Sequence, residues 1–552
     1  MPTIGWLFFI KNTKVRYAVI SSGTSKPSYL KSAAILAVSA IIAKIIGAIF
    51  KLPLYMIISP EATTHFGVTY QIYAVLLALS YSGLPVALSR LVSASAEIGN
   101  TRQARKYFST AIPLFMIIGG AFSVLMFIFA PQLANFMNDP QAMLGIRVLS
   151  PGVFFCCVVS VYEGYSQGHQ QMIPTAVKQL LEVVMKLVFG LIVVWIVIKG
   201  GGGDSEQAAG AVTGVVAGLG IAIPVLMVLN KKYHGKEKLA GSESTSIDTV
   251  KTILKVSIPI SLGAASLAII TLIDMKVVLG RLVTGAGLAR NVADSYYGVF
   301  LHTQTLYNIV PSLLSPISIS IVPALAAHLA AKKYREARMV TESSMKLVAL
   351  LAAPCAVGLT VLAPGIMGLL YAKDGFMGFR LLQILAPASF FGCFMIYTTA
   401  VLQANGYERI PLVAFLVGGG IQIAVDHILC GNPAINIYGS PIGTFVCFFV
   451  ICAINFGFIK AKVPSPPRVF ATLIKPVAIS LVMGVGAYFT YALLARFITG
   501  VSRVSYMLRV VPSIAVAAVI YIVLVLALHV ITKDDLAVIP KGDKIAKLLR
   551  IK

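Results

Sequence analysis

The chain has 552 residues, 58% of them hydrophobic and 12% charged, with a mean hydropathy of +0.88 and a formal net charge of +25. Soluble domains carry about 25% charged residues, so the composition excludes a soluble globular protein and describes a polytopic membrane protein. In a soluble chain the basic excess would suggest nucleic acid; in a membrane chain the first test is whether the cations fall on alternate loops.

Residues 1–31 contain a short apolar run, Ile4–Ile10, followed by Lys11, Lys14 and Arg16. The run is too short to span and its basic flank is on the wrong side for a signal peptide, so it reads as a cytoplasmic or interfacial tail. Next comes Ser32–Ser59, which is long enough at about 1.5 Å per residue to cross a core of about 30 Å. Lys44 sits near its middle, about 18 Å from its start, and Lys51 about two turns further on, with Lys44, Gly47 and Lys51 on one helical face. A cation facing lipid at that depth costs at least ~2.5 kcal/mol, so Lys44 is expected to face a wet interior or a partner. Lys51 has the further option of snorkelling toward the outer headgroups.

Apolar windows predict about fourteen spans: 32–59, 67–93, 107–130, 142–168, 173–198, 207–229, 251–280, 297–328, 343–371, 377–404, 411–430, 437–460, 470–495 and 505–531. With the N-terminus inside, the cytoplasmic loops collect Arg102, Arg105 and Lys106; Lys231, Lys232, Lys236 and Lys238; Lys332, Lys333, Arg335 and Arg338; Lys460, Lys462 and Arg468; and a basic tail from Lys533 to Lys552. The opposite loops are short and poor in cations, with 281–296 and 496–504 as exceptions. Both termini are therefore expected in the cytoplasm, and the basic excess reflects topology plus attraction to anionic lipids, with no nucleic-acid partner. The seven cysteines lie in or beside apolar spans and read as small core residues, neither disulfides nor metal ligands.

The chain also repeats. Pro151, Phe154, Phe155, Cys157 and Gln167 match Pro387, Phe390, Phe391, Cys393 and Gln403 at a single offset of 236 (387 less 151). Arg102-Gln-Ala-Arg105 matches Arg335-Glu-Ala-Arg338, and Gly67 recurs as Gly298. An offset of about six spans keeps the copies parallel and predicts two six-helix lobes with a site at their interface. The expected organisation is a tail (1–31), a first lobe (32–229), a cytoplasmic connector (230–250), a second lobe (251–460), two extra spans (461–531) and a basic cytoplasmic tail (532–552).

Few ionisable residues fall inside spans. Lys178, Glu182 and Lys186 form an i, i+4, i+8 stripe that serves equally as an ion-pair network or as a ligand contact. Glu163 lies in span 4, Asp274 and Lys276 in span 7, and Arg90 near a span end where it can snorkel. Asp426 and His427, beside Cys430-Gly431, read as the polar end of a span. An excess of interior cation calls for an anion, and phosphate or pyrophosphate on a lipid carrier suits a cavity basic at one end and apolar elsewhere; lysine supplies a point charge that can let go. A membrane enzyme would need an acid/base pair or metal ligands on a sizeable surface loop, and neither these nor a GxxxxGK[ST] motif is present. An exporter of small cations would need interior acids to outnumber bases, the reverse of this pattern.

AKIIGAIFKLPL (43–54), GLPVALSRLVSASAEIGN (83–100), LSPGVFFCCVVSVYEGYSQGHQQMIPTAV (149–177), LIDMKVVLGRL (272–282) and SISIVPALAAH (318–328) together resemble the MurJ/SpoVB-type branch of the multidrug/oligosaccharidyl-lipid/polysaccharide (MOP) exporter superfamily. The resemblance implies an all-α fold of two six-helix lobes around a central cavity, two C-terminal helices forming a lipid-tail groove, and alternating access. It implies a flippase in the bacterial cytoplasmic membrane for a polyprenyl-pyrophosphate-linked saccharide, lipid II the leading case, with a MATE-like antiporter as the alternative within the superfamily. It places substrate-binding cations at Lys44, Lys51 and Arg90 and the span 7 acid at Asp274. Lys178, Glu182 and Lys186 join the candidate substrate contacts, and Lys276 and Glu163 join Asp274 as candidate coupling or gating residues. No cofactor is expected beyond a coupling ion, H+ or Na+, or the membrane potential; cell-wall synthesis machinery is the expected protein partner. Two departures stand out: lysines replace the branch's usual first-helix arginines, and Glu163 precedes the GYxQG segment where an arginine is common.

Overall fold

Inside a bilayer no water satisfies backbone N–H and C=O groups, so each apolar stretch must close its hydrogen bonds within itself. The computed structural model describes residues 46–47, 50–234, 239–407, 409–528 and 530. Among the described residues there is no strand, and twelve helices are long and apolar enough to cross a membrane. The tails 1–31 and 532–552, Lys44 and most of the first predicted span lie outside the described residues.

The first span is visible as α1 (residues 50–57). It is followed by α2 (Pro60–Ser80), α3 (Leu84–Glu97), α4 (Thr101–Ile128), α5 (Ala130–Phe136), α6 (Met143–Gly168), α7 (Ile173–Met185), α8 (Leu191–Lys199) and α9 (Asp204–His234). The second half comprises α10 (Ser246–Thr284), α11 (Arg290–Ala330), α12 (Tyr334–Val361), α13 (Ala363–Leu370), α14 (Gly375–Ala404), α15 (Arg409–Leu429) and α16 (Gly439–Lys462). A final hairpin, α17 (Val469–Phe497) and α18 (Arg503–Ala527), packs on α12 and α13.

Three predicted spans are broken, each for a local reason. The window 67–93 is two helices because Gly83 and Pro85 interrupt it at Tyr81–Gly83; Pro is tolerated in a first helical turn but not in a helix interior. The window 343–371 divides at Leu362, ahead of Pro364. Span 5 is interrupted by a π-helical turn, Lys186–Gly190, between α7 and α8. The connector is shorter than expected: α9 reaches His234 and α10 starts at Ser246, capped by Thr245. Part of that connector is tied down, with the Gln103 amide donating to Ser244 Oγ at 2.9 Å and accepting from Ser244 N–H at 2.6 Å.

The repeat is structural. In the first lobe α6 packs on α4 and α9, while α7 packs on α9; in the second α14 packs on α12 and α16, while α15 packs on α16. Helices α6 and α14 end at Gly168 and Ala404, again 236 residues apart, each with an interior proline, Pro151 or Pro387. Short helices α5 and α13 both open on Ala-Pro, at Ala130-Pro131 and Ala363-Pro364. All seven cysteines are free and all but Cys355 are buried.

The lobes meet where α2 packs along α10 and α11. The repeated glycines sit at this crossing: a methyl group on Gly67 would meet Leu301, and one on Gly298 would overlap the Pro60 backbone. Further along, Gly83 N–H donates to Ser261 Oγ of α10 at 3.0 Å. Gly67, Gly298 and Gly83 thus allow the backbone approach that two helices with side chains at the crossing could not make.

Candidate functional site

The stripe predicted on span 5 forms one continuous chain of charges. Lys178 Nζ lies 3.1 Å from Glu182 and 3.9 Å from Glu163 of α6, and Lys186 Nζ lies 2.7 Å from Glu182. Hydroxyls close both ends: Tyr81 donates to Glu163 at 3.1 Å, and Lys186 donates to the Tyr70 hydroxyl at 3.4 Å. Both tyrosines also present ring faces to the lysines they adjoin, 5.8 Å from Lys178 and 5.7 Å from Lys186. Two acids alternate with two bases, so the formal charges cancel and desolvation is offset within the network.

The π-turn begins at Lys186 itself. Gly214 of α9 packs against the Gly190 nitrogen and the Lys186 Cα so closely that a side chain there would overlap both. Lys186 opens this turn and keeps its i, i+4 ion pair with Glu182; π-turns of this kind are frequent at functional positions.

Lys51 differs from these lysines. It is exposed, and among the described residues no carboxylate pairs with it; the like charge of Lys186 acts on it. Tyr55, one turn on along the same face, is buried and lies against the His302 ring of the second lobe, with centroids 5.0 Å apart. Lys51 therefore sits on the side of α1 that faces the lobe boundary. Arg90 is exposed on α3. Lys276 stacks over the Phe136 ring of α5, 3.4 Å from its centroid, so it joins the lobes at the Pro60 end and does not approach the stripe of α7. Lys44 lies outside the described residues.

In the second lobe Asp274 accepts a hydrogen bond from the Gln422 amide at 2.9 Å. Facing it is Asp426, completely buried. Asp426 does lie in the last turn of α15, at the end of its span, but α15 turns it inward, and its carboxylate packs against Gly443 of α16. Asp274 Oδ1 and both Asp426 oxygens lack hydrogen-bond partners. Two buried carboxylates that face each other repel when both are charged, and a proton or cation shared between them relieves that repulsion. The available signal was positional: Gln422 and Asp426 are spaced i, i+4 on one face of span 11.

Two buried His–Asp pairs were also missed. His65 Nδ1 is 2.8 Å from Asp139 Oδ2, and His302 Nδ1 is 2.7 Å from Asp374 Oδ2. Both aspartates sit at the short turn just ahead of α6 or α14. Asp139 falls between the predicted spans 107–130 and 142–168, and nothing in its spacing announced a partner on α2.

These features define a class: a two-lobed, internally repeated helical membrane protein with a charge-paired first lobe and an acidic pair in the second. The chain belongs to the polysaccharide biosynthesis protein family, whose profile matches residues 29–328. Among curated relatives, stage V sporulation protein B of Bacillus subtilis (strain 168) is 24% identical over 522 residues, covering 94% of this chain and 98% of that protein. The lipid II flippase MurJ of the same organism is 21% identical over 454 residues, covering 78% and 82%. The solved structure of a lipid II flippase MurJ in an inward closed conformation superposes with a TM-score of 0.68 at 14% identity, covering 90% of this chain and 99% of that one. The MurJ/SpoVB-type resemblance carried by the motifs thus extends to the whole fold.

Proposed function

We propose that this chain is a flippase that moves a polyprenyl-pyrophosphate-linked cell-wall precursor, lipid II the leading case, from the inner to the outer leaflet by alternating access. The observation that carries this reading is Lys51: a cation with no carboxylate partner among the described residues, on the side of α1 that faces the lobe boundary, near a network whose own charges cancel. An anion arriving there meets positive charge on Lys51, and Lys44, seven residues earlier in the sequence, is the second candidate contact. The Lys178–Glu182–Lys186 chain then serves to hold Lys186 and Tyr70 in place.

The carrier's polyprenyl tail stays in membrane, and the groove between α11, α12, α17 and α18 suits it. This groove has a volume of about 430 Å³ and is lined by Leu306, Pro354, Gly358, Met483, Ala517 and Tyr521 among others. Asp274 and Asp426 provide the coupling element: a proton or monovalent cation between them neutralises the pair, and its loss restores repulsion between α10 and α15. The Glu97 end of α3, the connector and both tails face the cytoplasm in this reading, as their basic residues favour.

The test is complementation of a strain depleted of its lipid II flippase. Lys51→Ala and Lys44→Ala should each fail to support growth at normal membrane levels, while Lys51→Arg should rescue. Native mass spectrometry of the purified protein identifies the bound carrier. Lipid II supports the reading, a different polyprenyl-linked saccharide moves it to another polysaccharide lipid, and full growth with Lys51→Ala and Lys44→Ala combined overturns the anion role.

A further inference from the structure

Thr63, Thr64 and His65 are consecutive on α2, and each reaches a different element. Thr63 Oγ1 is 3.1 Å from His302 Nε2, Thr64 Oγ1 donates to the Asp294 carbonyl at 2.6 Å, and His65 pairs with Asp139. The first two contacts cross the lobe boundary, and the third ties α2 to the turn ahead of α6. The two His–Asp pairs differ in their third partner. His302 has a neutral hydroxyl, and its ring lies between Tyr55 and Tyr371, with centroids at 5.0 and 4.7 Å. His65 instead meets a second carboxylate, Asp294 of α11, from the other lobe.

Ligand atoms of His65, Asp139 and Asp294 lie within 4.8 Å of one another, and all three residues are buried. Asp204, held by Ser59 Oγ at 2.6 Å, adds a third carboxylate acting on the His65 ring. Among the described residues one arginine faces these three carboxylates: Arg290 grips Asp294 at two points, Nε donating to Oδ2 at 3.1 Å and Nη2 lying 2.7 Å from Oδ1, while Asp139 and Asp204 have no Lys or Arg paired with them. A metal-ligating imidazole is neutral, and with His65 in that state the buried cluster carries net negative charge that a bound cation would offset in place of a proton.

We propose that His65, Asp139 and Asp294 form a site for a divalent transition-metal ion of the zinc class, which staples the two lobes together at the Pro60 end. One imidazole and two carboxylates are a borderline donor set suited to such an ion. Bonds of about 2.0–2.2 Å place tetrahedral ligands about 3.3 Å apart, so the present spacing needs only side-chain adjustment. Access exists: a cavity of about 340 Å³ lined by Asn138, Pro140, Gly280, Thr284 and Arg290 lies beside Asp139 and reaches the arginine that covers Asp294. Bound metal joins α2 and the turn ahead of α6 in one lobe to α11 of the other, so the lobes part at this end only after the ion leaves. The inference stands apart from the transported substrate, because metal binding is measured without it.

The experiment is equilibrium dialysis of the purified full-length protein against zinc chloride, with bound metal counted by mass spectrometry. One zinc per chain is expected, weakened at least tenfold by His65→Gln and by Asp294→Asn and unchanged by His302→Gln, the twin lacking a second carboxylate. Arg290→Ala should tighten binding, because it removes the cation that competes for Asp294; a merely structural arginine would give the opposite. Gel filtration establishes that each variant is folded, and Asp294→Asn decides alone where His65→Gln does not fold. Absence of stoichiometric zinc, equal loss in His302→Gln and His65→Gln, or weaker binding in Arg290→Ala overturns the site.

Discussion

Gly298 of α11 lies directly against the backbone of Pro60, the first residue of α2, with no room for a methyl group between them. This contact is one of those that hold the second lobe on the first at the Pro60 end, with Thr63–His302 and Thr64–Asp294 beside it. Gly298→Ala should separate or strain the helices there, costing about 1–3 kcal/mol of the closed arrangement as overpacked sites do. A fall in melting temperature in detergent, with greater labelling of a cysteine placed at Ser59, would register the effect. Gly358→Ala, which meets nothing within 4 Å, is the matched control and should change neither.

Glu182 is the centre of the charge chain, bonded to Lys178 on one side and Lys186 on the other. Glu182→Gln leaves Lys186 without a carboxylate and Lys178 with only Glu163 at 3.9 Å, and should destabilise by about 3–5 kcal/mol, the usual cost of breaking a buried pair from one side. Adding Lys186→Met should recover part of that loss. A double-mutant cycle by thermal unfolding measures the coupling, and additive effects would show that the network is not a unit.

Asp426 faces Asp274 with no hydrogen-bond partner of its own. Asp426→Asn removes the like charge while keeping the volume, so the fold should be as stable as before or more so. The same variant should lose any dependence of transport on a proton or sodium gradient. Vesicle transport measured with and without the gradient, set beside the melting temperature, separates a coupling role from a packing role.

Gly358 lines the groove between α12 and α18 and has open space where a side chain would stand. Gly358→Phe should fill the groove without a clash. Lipid co-purifying with the protein should then fall several-fold by native mass spectrometry, with the melting temperature held. Unchanged lipid would place the tail elsewhere.

Much of this protein was legible in the sequence, because a bilayer leaves few choices. Apolar length fixes where helices run, and loop cations were enough to propose an orientation. The repeat of Pro151 as Pro387 and of Gly67 as Gly298 foretold two lobes, and the lobes do repeat their packing. The spacing of Lys178, Glu182 and Lys186 placed them on one face, since helical periodicity is a local property. What lay across from that face was not local. Only the tertiary structure brought Glu163 and Tyr81 to Lys178, turned Asp426 toward Asp274, and set Asp294 beside His65 from 229 residues away (294 less 65). In each case the partner sits on a helix distant in sequence, and its position follows from how helices cross. Crossing depends on small residues such as Gly67, Gly83 and Gly298, whose consequence appears only once two backbones meet.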